Sequence, residues 1–137
     1  MVKKEEMDAL FKEAEKIADS AYAPYSNFRV GAALLCEDGT VVTGVNMENR
    51  SFGLTICAER NAISTAISMG KRRFLALAIS TPDSVDPVGP CGACRQVISE
   101  FMPADTPIRF AGSGPNLVQS TAGELLPFDS LHELKKA

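Results

Sequence analysis

A chain of 137 residues with 45% apolar and 23% charged positions is long enough to build one domain, residues 1–137, around a core of its own. Its formal charge of -3, from 14 basic and 17 acidic residues, and the lack of any basic run longer than Lys71-Arg72-Arg73 leave no phosphate-binding stripe, so no nucleic-acid polymer is expected as a partner. No segment approaches the ~20 consecutive apolar residues of a membrane span, and Lys3-Lys4-Glu5-Glu6 is not the apolar core of a signal peptide, so a cytoplasmic protein without a membrane partner is expected.

Met7, Leu10, Phe11, Ala14, Ile17, Ala18 and Ala21 recur at three-and-four spacing, which predicts an amphipathic first helix that stops before Pro24. Two β-rich segments follow, 28–36 and 41–46, joined by Glu37-Asp38-Gly39-Thr40; the Asp-Gly pair predicts an antiparallel hairpin. A second helix is predicted from Cys57, with Ala58, Ala62, Ile63, Ala66 and Ile67 along it, to Gly70, which tolerates the left-handed cap. A buried strand, 74–80, follows directly. Residues 81–90 are rich in Pro, Asp and Gly and read as a loop, after which 91–101 reads as a third helix with Val97, Ile98 and Phe101 inward. Only Gly112-Ser113-Gly114-Pro115 separates strands 108–111 and 116–121, too few residues for a parallel crossover, so these strands are antiparallel if they pair. The strand–helix alternation before them favours right-handed parallel crossovers, and the expected fold class is α/β with helices against a mixed five-stranded sheet.

The chemistry concentrates in Cys57-Ala58-Glu59-Arg60 and Pro90-Cys91-Gly92-Ala93-Cys94. Each motif opens a predicted helix at strand ends, where α/β proteins place ligands, and a helix N-terminus favours thiolates. Structural zinc is usually closed by four protein ligands, whereas catalytic zinc keeps three and leaves a position for water. Cys57, Cys91 and Cys94 make three; Cys36 closes an apolar run and reads as a small buried hydrophobe, and the only histidine, His132, reads as an exposed tail residue. Four cysteines would also permit two disulfides in a secreted protein, a reading disfavoured without a signal peptide. Three thiolates more than neutralise a zinc dication, and Arg60, one turn from Cys57, is placed to donate to sulfur and balance that charge. Glu59 can approach the metal without binding it, which suits a proton shuttle; by itself a glutamate at a helix start is also what the dipole favours. Cys-x-x-Cys alone would fit a redox motif or half a structural zinc site, and gains its specificity from the upstream Cys-Ala-Glu.

These residues, with Tyr22-Ala23-Pro24-Tyr25-Ser26-Asn27-Phe28-Arg29-Val30-Gly31-Ala32-Ala33, Asn46-Met47-Glu48-Asn49 and the continuation Cys94-Arg95-Gln96, resemble the cytidine deaminase family over nearly the whole chain, specifically its short-chain homotetrameric branch. The resemblance implies a three-layer α/β/α fold and one Zn2+ per chain held by Cys57, Cys91 and Cys94. It implies hydrolysis of cytidine and deoxycytidine at C4 to uridine or deoxyuridine and ammonia, a step of pyrimidine salvage, with Glu59 as general acid/base. It assigns Phe28 to stacking on the pyrimidine, Asn46 and Glu48 to the sugar hydroxyls, and the Ala58 N–H to the base carbonyl. It also implies a homotetramer with active sites near subunit interfaces. Taken alone, Phe28 at a strand start reads as core, and Asn46 at a strand end as a turn residue.

Two departures stand out. Phe52 occupies a position where relatives commonly carry tyrosine, and Ser130 one where they often place a phenylalanine that reaches an adjacent active site, with Phe128 earlier. Both point to a pocket altered toward bulkier or modified cytosine nucleosides. A deaminase of a nucleoside antibiotic such as blasticidin S is the nearest alternative, although Asn46-Met47-Glu48-Asn49 favours ordinary nucleosides. The composition and the short link between the last two strands speak against a deaminase of tRNA adenosine. A zinc-stabilised binding module without turnover is the alternative from a different class.

Overall fold

A computed structural model describes residues 1–135. The helix α1 (Lys4–Ala18) is followed by β1 (Gly31–Cys36), β2 (Val41–Val45), α2 (Ala58–Ser68), β3 (Phe74–Ser80), α3 (Gly92–Phe101), β4 (Pro107–Ala111), β5 (Leu117–Thr121) and the single turn α4 (Ala122–Leu125). The strands form one mixed sheet in the order β2-β1-β3-β4-β5. Only β3 and β4 are parallel, joined through α3, and β4 and β5 pair antiparallel as their short link requires.

Alternation along the strands sorts the core into two layers. Leu34 and Cys36 of β1, Leu77 and Ile79 of β3, and Ile108 and Phe110 of β4 pack with Ala62, Ile63 and Ala66 of α2 and Ile98 of α3. On the opposite face Ala33, Ala76 and Ala78 meet Met7, Leu10 and Ala14 of α1, where alanines let the helix lie close. The three-layer α/β/α expectation holds, and Cys36 is core.

Glycine admits both helices. A Cβ at Gly31 would lie 2.1 Å from the Ala14 carbonyl, and one at Gly44 would lie 2.4 Å from the Ala62 nitrogen and 2.6 Å from the Ala58 carbonyl. These are backbone atoms and cannot rotate away. Gly44→Ala is therefore expected to cost about 3 kcal/mol and lower the thermal midpoint by several degrees, whereas Gly53→Ala, with nothing within 4 Å of its Cβ, leaves it unchanged.

The Asp38-Gly39 hairpin forms as expected: Gly39 takes φ +90° and Asp38 accepts from the Thr40 N–H at 3.0 Å. Gly70, at φ +85°, ends α2, with the Gly70 and Lys71 amides donating to Ile67 and Ala66. Several boundaries differ from the sequence expectation. The first helix ends at Ala18 rather than running on to Ala21, and Cys57 and Cys91 are N-caps rather than first helical residues. The first strand begins at Gly31 rather than Phe28, because the amides of Phe28, Arg29 and Val30 donate to side chains instead of to a neighbouring strand.

Candidate active site

Cys57 and Cys91 cap α2 and α3 with extended backbone, and Cys94 lies in the first turn of α3. The three Sγ atoms all lie within 4.8 Å of one another, with Cys57 and Cys91 3.8 Å apart. Tetrahedral zinc with Zn–S bonds of ~2.3 Å spaces its sulfurs about 3.8 Å apart, so this edge has the dimension that a zinc site needs. Cys94 is fully buried, Cys57 partly buried and Cys91 exposed, which leaves the cluster open on one side. His132 is exposed on a one-turn helix, His132–Leu134, and does not belong to the cluster. The donor set fits zinc: soft sulfur ligands, three in number, at two helix N-termini.

Electrostatics around the sulfurs follow from their neighbours. The Cys57 thiol is lowered to about 5, first by the hydrogen bond from Cys94 and then by Arg60, whose Nη2 donates to Sγ at 3.2 Å. Cys94 is held well above the usual thiol range, first because it donates to Cys57 and then by burial. A metal binds these sulfurs as thiolates, so its binding displaces their protons. Arg60 thus reaches the Cys57 sulfur, the contact expected of it. Its guanidinium is held above the ordinary arginine value, chiefly by the bond to Cys57.

Glu59, the second residue of α2, is 4% exposed. Burial, followed by the charge of Cys57, pushes its carboxyl up to about 7. A carboxyl at that value can both take and give a proton near neutrality. Ala58, fully buried, begins α2, and its N–H is one of the first-turn amides that no helical carbonyl reaches.

The expected substrate-binding residues approach through backbone pairing. Met47 and Ile56 exchange N–H···O bonds at 2.9 and 3.0 Å, which sets Asn46 and Glu48 on either side of a residue paired next to Cys57. Asn46 is 7% exposed; its Oδ1 accepts from the Val30 N–H at 2.9 Å and its Nδ2 donates to the Phe28 carbonyl at 2.8 Å. Glu48 Oε1 accepts from the Tyr25 and Ser26 amides at 3.0 and 3.1 Å, and its Oε2 accepts from the Ser26 hydroxyl. Those bonds, the hydroxyl's first, hold its carboxyl below the usual range. Phe28 is half-buried in the segment so fastened. Neither the core reading of Phe28 nor the simple turn reading of Asn46 describes these positions.

Sequence reasoning gave Arg95 no role of its own. Its Nε donates to the Pro90 carbonyl at 2.8 Å and its Nη1 to the Leu125 carbonyl at 3.1 Å, bracing the peptide before Cys91 against the end of α4. Its position immediately after Cys94 was the available signal. Tyr25 and Phe52 meet with their rings tilted by 60° and 5.8 Å between centroids, and Phe52 remains 73% exposed. A wide groove between α3, α4 and the tail, lined by residues such as Ser99, Met102, Ala122 and Phe128, contains none of the expected site residues.

Residues 4–109 match the family model described as the cytidine and deoxycytidylate deaminase zinc-binding region. The chain is 50% identical over 118 residues to a cytidine deaminase of Halalkalibacterium halodurans, covering 86% of this chain and 89% of that one. It is 46% identical to one of Sporosarcina psychrophila, covering 89% of each. The crystal structure of a cytidine deaminase from Burkholderia pseudomallei superposes with a TM-score of 0.84 at 43% identity, covering 88% of this chain and 95% of that one. A blasticidin-S deaminase of Bacillus cereus is 37% identical over 105 residues, covering 72% of this chain and 74% of that one.

Proposed function

This chain belongs to the cytidine deaminase family, and we propose that it hydrolyses the C4 amino group of cytidine and deoxycytidine, releasing ammonia and leaving uridine or deoxyuridine. The observation that carries this reading is the triangle of Cys57, Cys91 and Cys94 with the buried Glu59 two residues from Cys57.

Cys57, Cys91 and Cys94 would hold one zinc per chain. When bound, zinc supplies an activated water at neutral pH. Glu59 takes the proton of the attacking water and delivers it to the ring nitrogen N3; it then carries a proton to the departing amine, which leaves as ammonia. Burial suits this role, because a carboxyl raised to about 7 exchanges protons at little cost in either direction. Arg60 and the two helix N-termini offset the excess charge of three thiolates. Ala58 N–H would donate to the base carbonyl, Phe28 would stack on the pyrimidine, and Asn46 and Glu48 would meet the sugar hydroxyls.

Asn46 and Glu48 hold the Phe28 segment with the same polar atoms that would meet the sugar. Sugar and base recognition are thereby coupled through one short stretch of backbone. As a working context we assign the chain to pyrimidine salvage in the cytoplasm, as a single-domain homotetramer. The exposed apolar side chains Phe52, Leu54 and Phe128 and the openness at Cys91 support association.

Ultraviolet-monitored turnover of cytidine, deoxycytidine, bulkier modified cytosine nucleosides and blasticidin S tests the substrate. Cytidine and deoxycytidine are expected to react fastest. Preference for the modified substrates would shift the reading to the blasticidin-type alternative, represented by the Bacillus cereus deaminase at 37% identity.

A further inference from the structure

The stretch from Tyr25 to Val30 carries Phe28 yet lies outside every strand, so its conformation depends on the side chains that take its amides. Asn46 and Glu48 supply most of these acceptors from the β2 side. The amide between Phe28 and Val30 is held from elsewhere: Arg29 N–H donates to Asp83 Oδ2 at 2.8 Å. The same carboxylate receives Arg29 Nε on Oδ2 at 3.0 Å and Nη2 on Oδ1 at 2.8 Å. Arg29 Nη1 reaches Asp19, just beyond α1, at 3.2 Å.

A solitary surface ion pair does little, since solvent screens it and two mobile side chains must be ordered. Asp83 differs because it grips the backbone and the planar guanidinium of one residue together, a fork geometry that fixes direction as well as distance. Its side chain is only 28% exposed, and Arg29 holds its carboxyl down at about 2, so the clamp stays charged across the working range.

Asp83 stands on the loop 81–90, anchored at its start by the Thr81 N–H on the Ala111 carbonyl at 3.0 Å and at its end by Arg95 on the Pro90 carbonyl. That loop delivers Cys91. One carboxylate thus ties the backbone beside Phe28 to the connection that leads to the cysteines.

We propose that Asp83, acting through Arg29, is a positioning residue for the deamination, setting the place of Phe28 against the pyrimidine of a bound cytosine nucleoside. The proposal rests on the reading of Phe28 as the stacking face. Stacking is short-ranged and directional, so a small displacement of Phe28 weakens ground-state and transition-state binding alike and appears in KM rather than kcat.

The test is steady-state cytidine kinetics of the zinc-loaded, full-length enzyme and its variants. Asp83→Ala is expected to raise KM about tenfold, with kcat within about threefold of wild type and zinc content unchanged. Asp83→Asn, which keeps one carbonyl acceptor, should fall between. Arg29→Ala keeps the backbone N–H and should raise KM less than Asp83→Ala, while the double variant should be no worse than Asp83→Ala alone. These milder variants carry the test if the alanine at 83 does not fold. A wild-type KM in the Asp83 variants, or a loss confined to kcat, overturns the clamp while wild-type turnover leaves the deaminase reading intact. Absence of cytidine turnover in the wild type overturns both.

Discussion

Replacing Glu59 by glutamine is expected to slow cytidine turnover by at least ~10^2 to 10^4-fold, with zinc still bound at about one per chain. Glutamine has nearly the same shape and fits the same buried place, so the helix and the cysteine triangle should persist. What disappears is the exchangeable proton. A glutamate present only because helix starts favour acids would contribute a few tenths of a kcal/mol through the dipole, and its replacement would leave turnover nearly intact. The two roles therefore differ by orders of magnitude in rate. Metal analysis beside single-turnover kinetics separates loss of the shuttle from loss of zinc, and turnover within a few-fold of wild type would remove Glu59 from the mechanism.

Cys94→Ala is expected to abolish both zinc retention and turnover. Cys94 is fully buried in the first turn of α3 and is the innermost of the three thiols. Without it the metal would keep two sulfur ligands, one of them exposed. Alanine is a good helix former, so α3 itself should survive; the loss should come from the metal, whose binding contributes directly to folding stability. The thermal midpoint of Cys94→Ala should consequently match that of chelator-treated wild type. Cys36→Ala provides the contrast: its thiol lies in the core, away from the triangle, and this variant should retain zinc. Stoichiometric zinc in Cys94→Ala would mean that another group completes the site.

The site's chemistry was legible because it is local. Cysteine spacing, a helix start and an adjacent Glu-Arg pair can be read within a few residues, although Cys57 and Cys91 stand one residue ahead of their helices, as N-caps. The strand Phe74–Ser80 was equally plain, being apolar from Phe74 to Ile79 and buried at every position but Leu75. The stretch 28–30 misled because its amides bond to the side chains of Ser26, Asp83 and Asn46, the last two 54 and 16 positions away. Nothing in local periodicity marks such pairings. The turn α4 did leave a signal: Thr121-Ala122-Gly123-Glu124 has capping-box spacing, and Thr121 Oγ1 accepts from the Glu124 N–H at 3.2 Å. At four residues it is too short to show a hydrophobic period.

The groove beside α4 illustrates why concavity alone is a poor guide here. It lies among residues of α3 and the tail, whereas the cysteines sit at two helix starts with one thiol exposed. Chemistry locates the site more directly than shape, because three converging thiols beside a buried carboxyl have few other uses.

The most direct measurement is cytidine turnover as a function of bound zinc, using protein stripped with a chelator and reloaded stepwise. Activity should be absent without metal and rise in proportion to zinc up to about one per chain, with ammonia and uridine released in equal amounts. Undiminished turnover by metal-free protein, or none by protein carrying a full complement of zinc, would contradict the account.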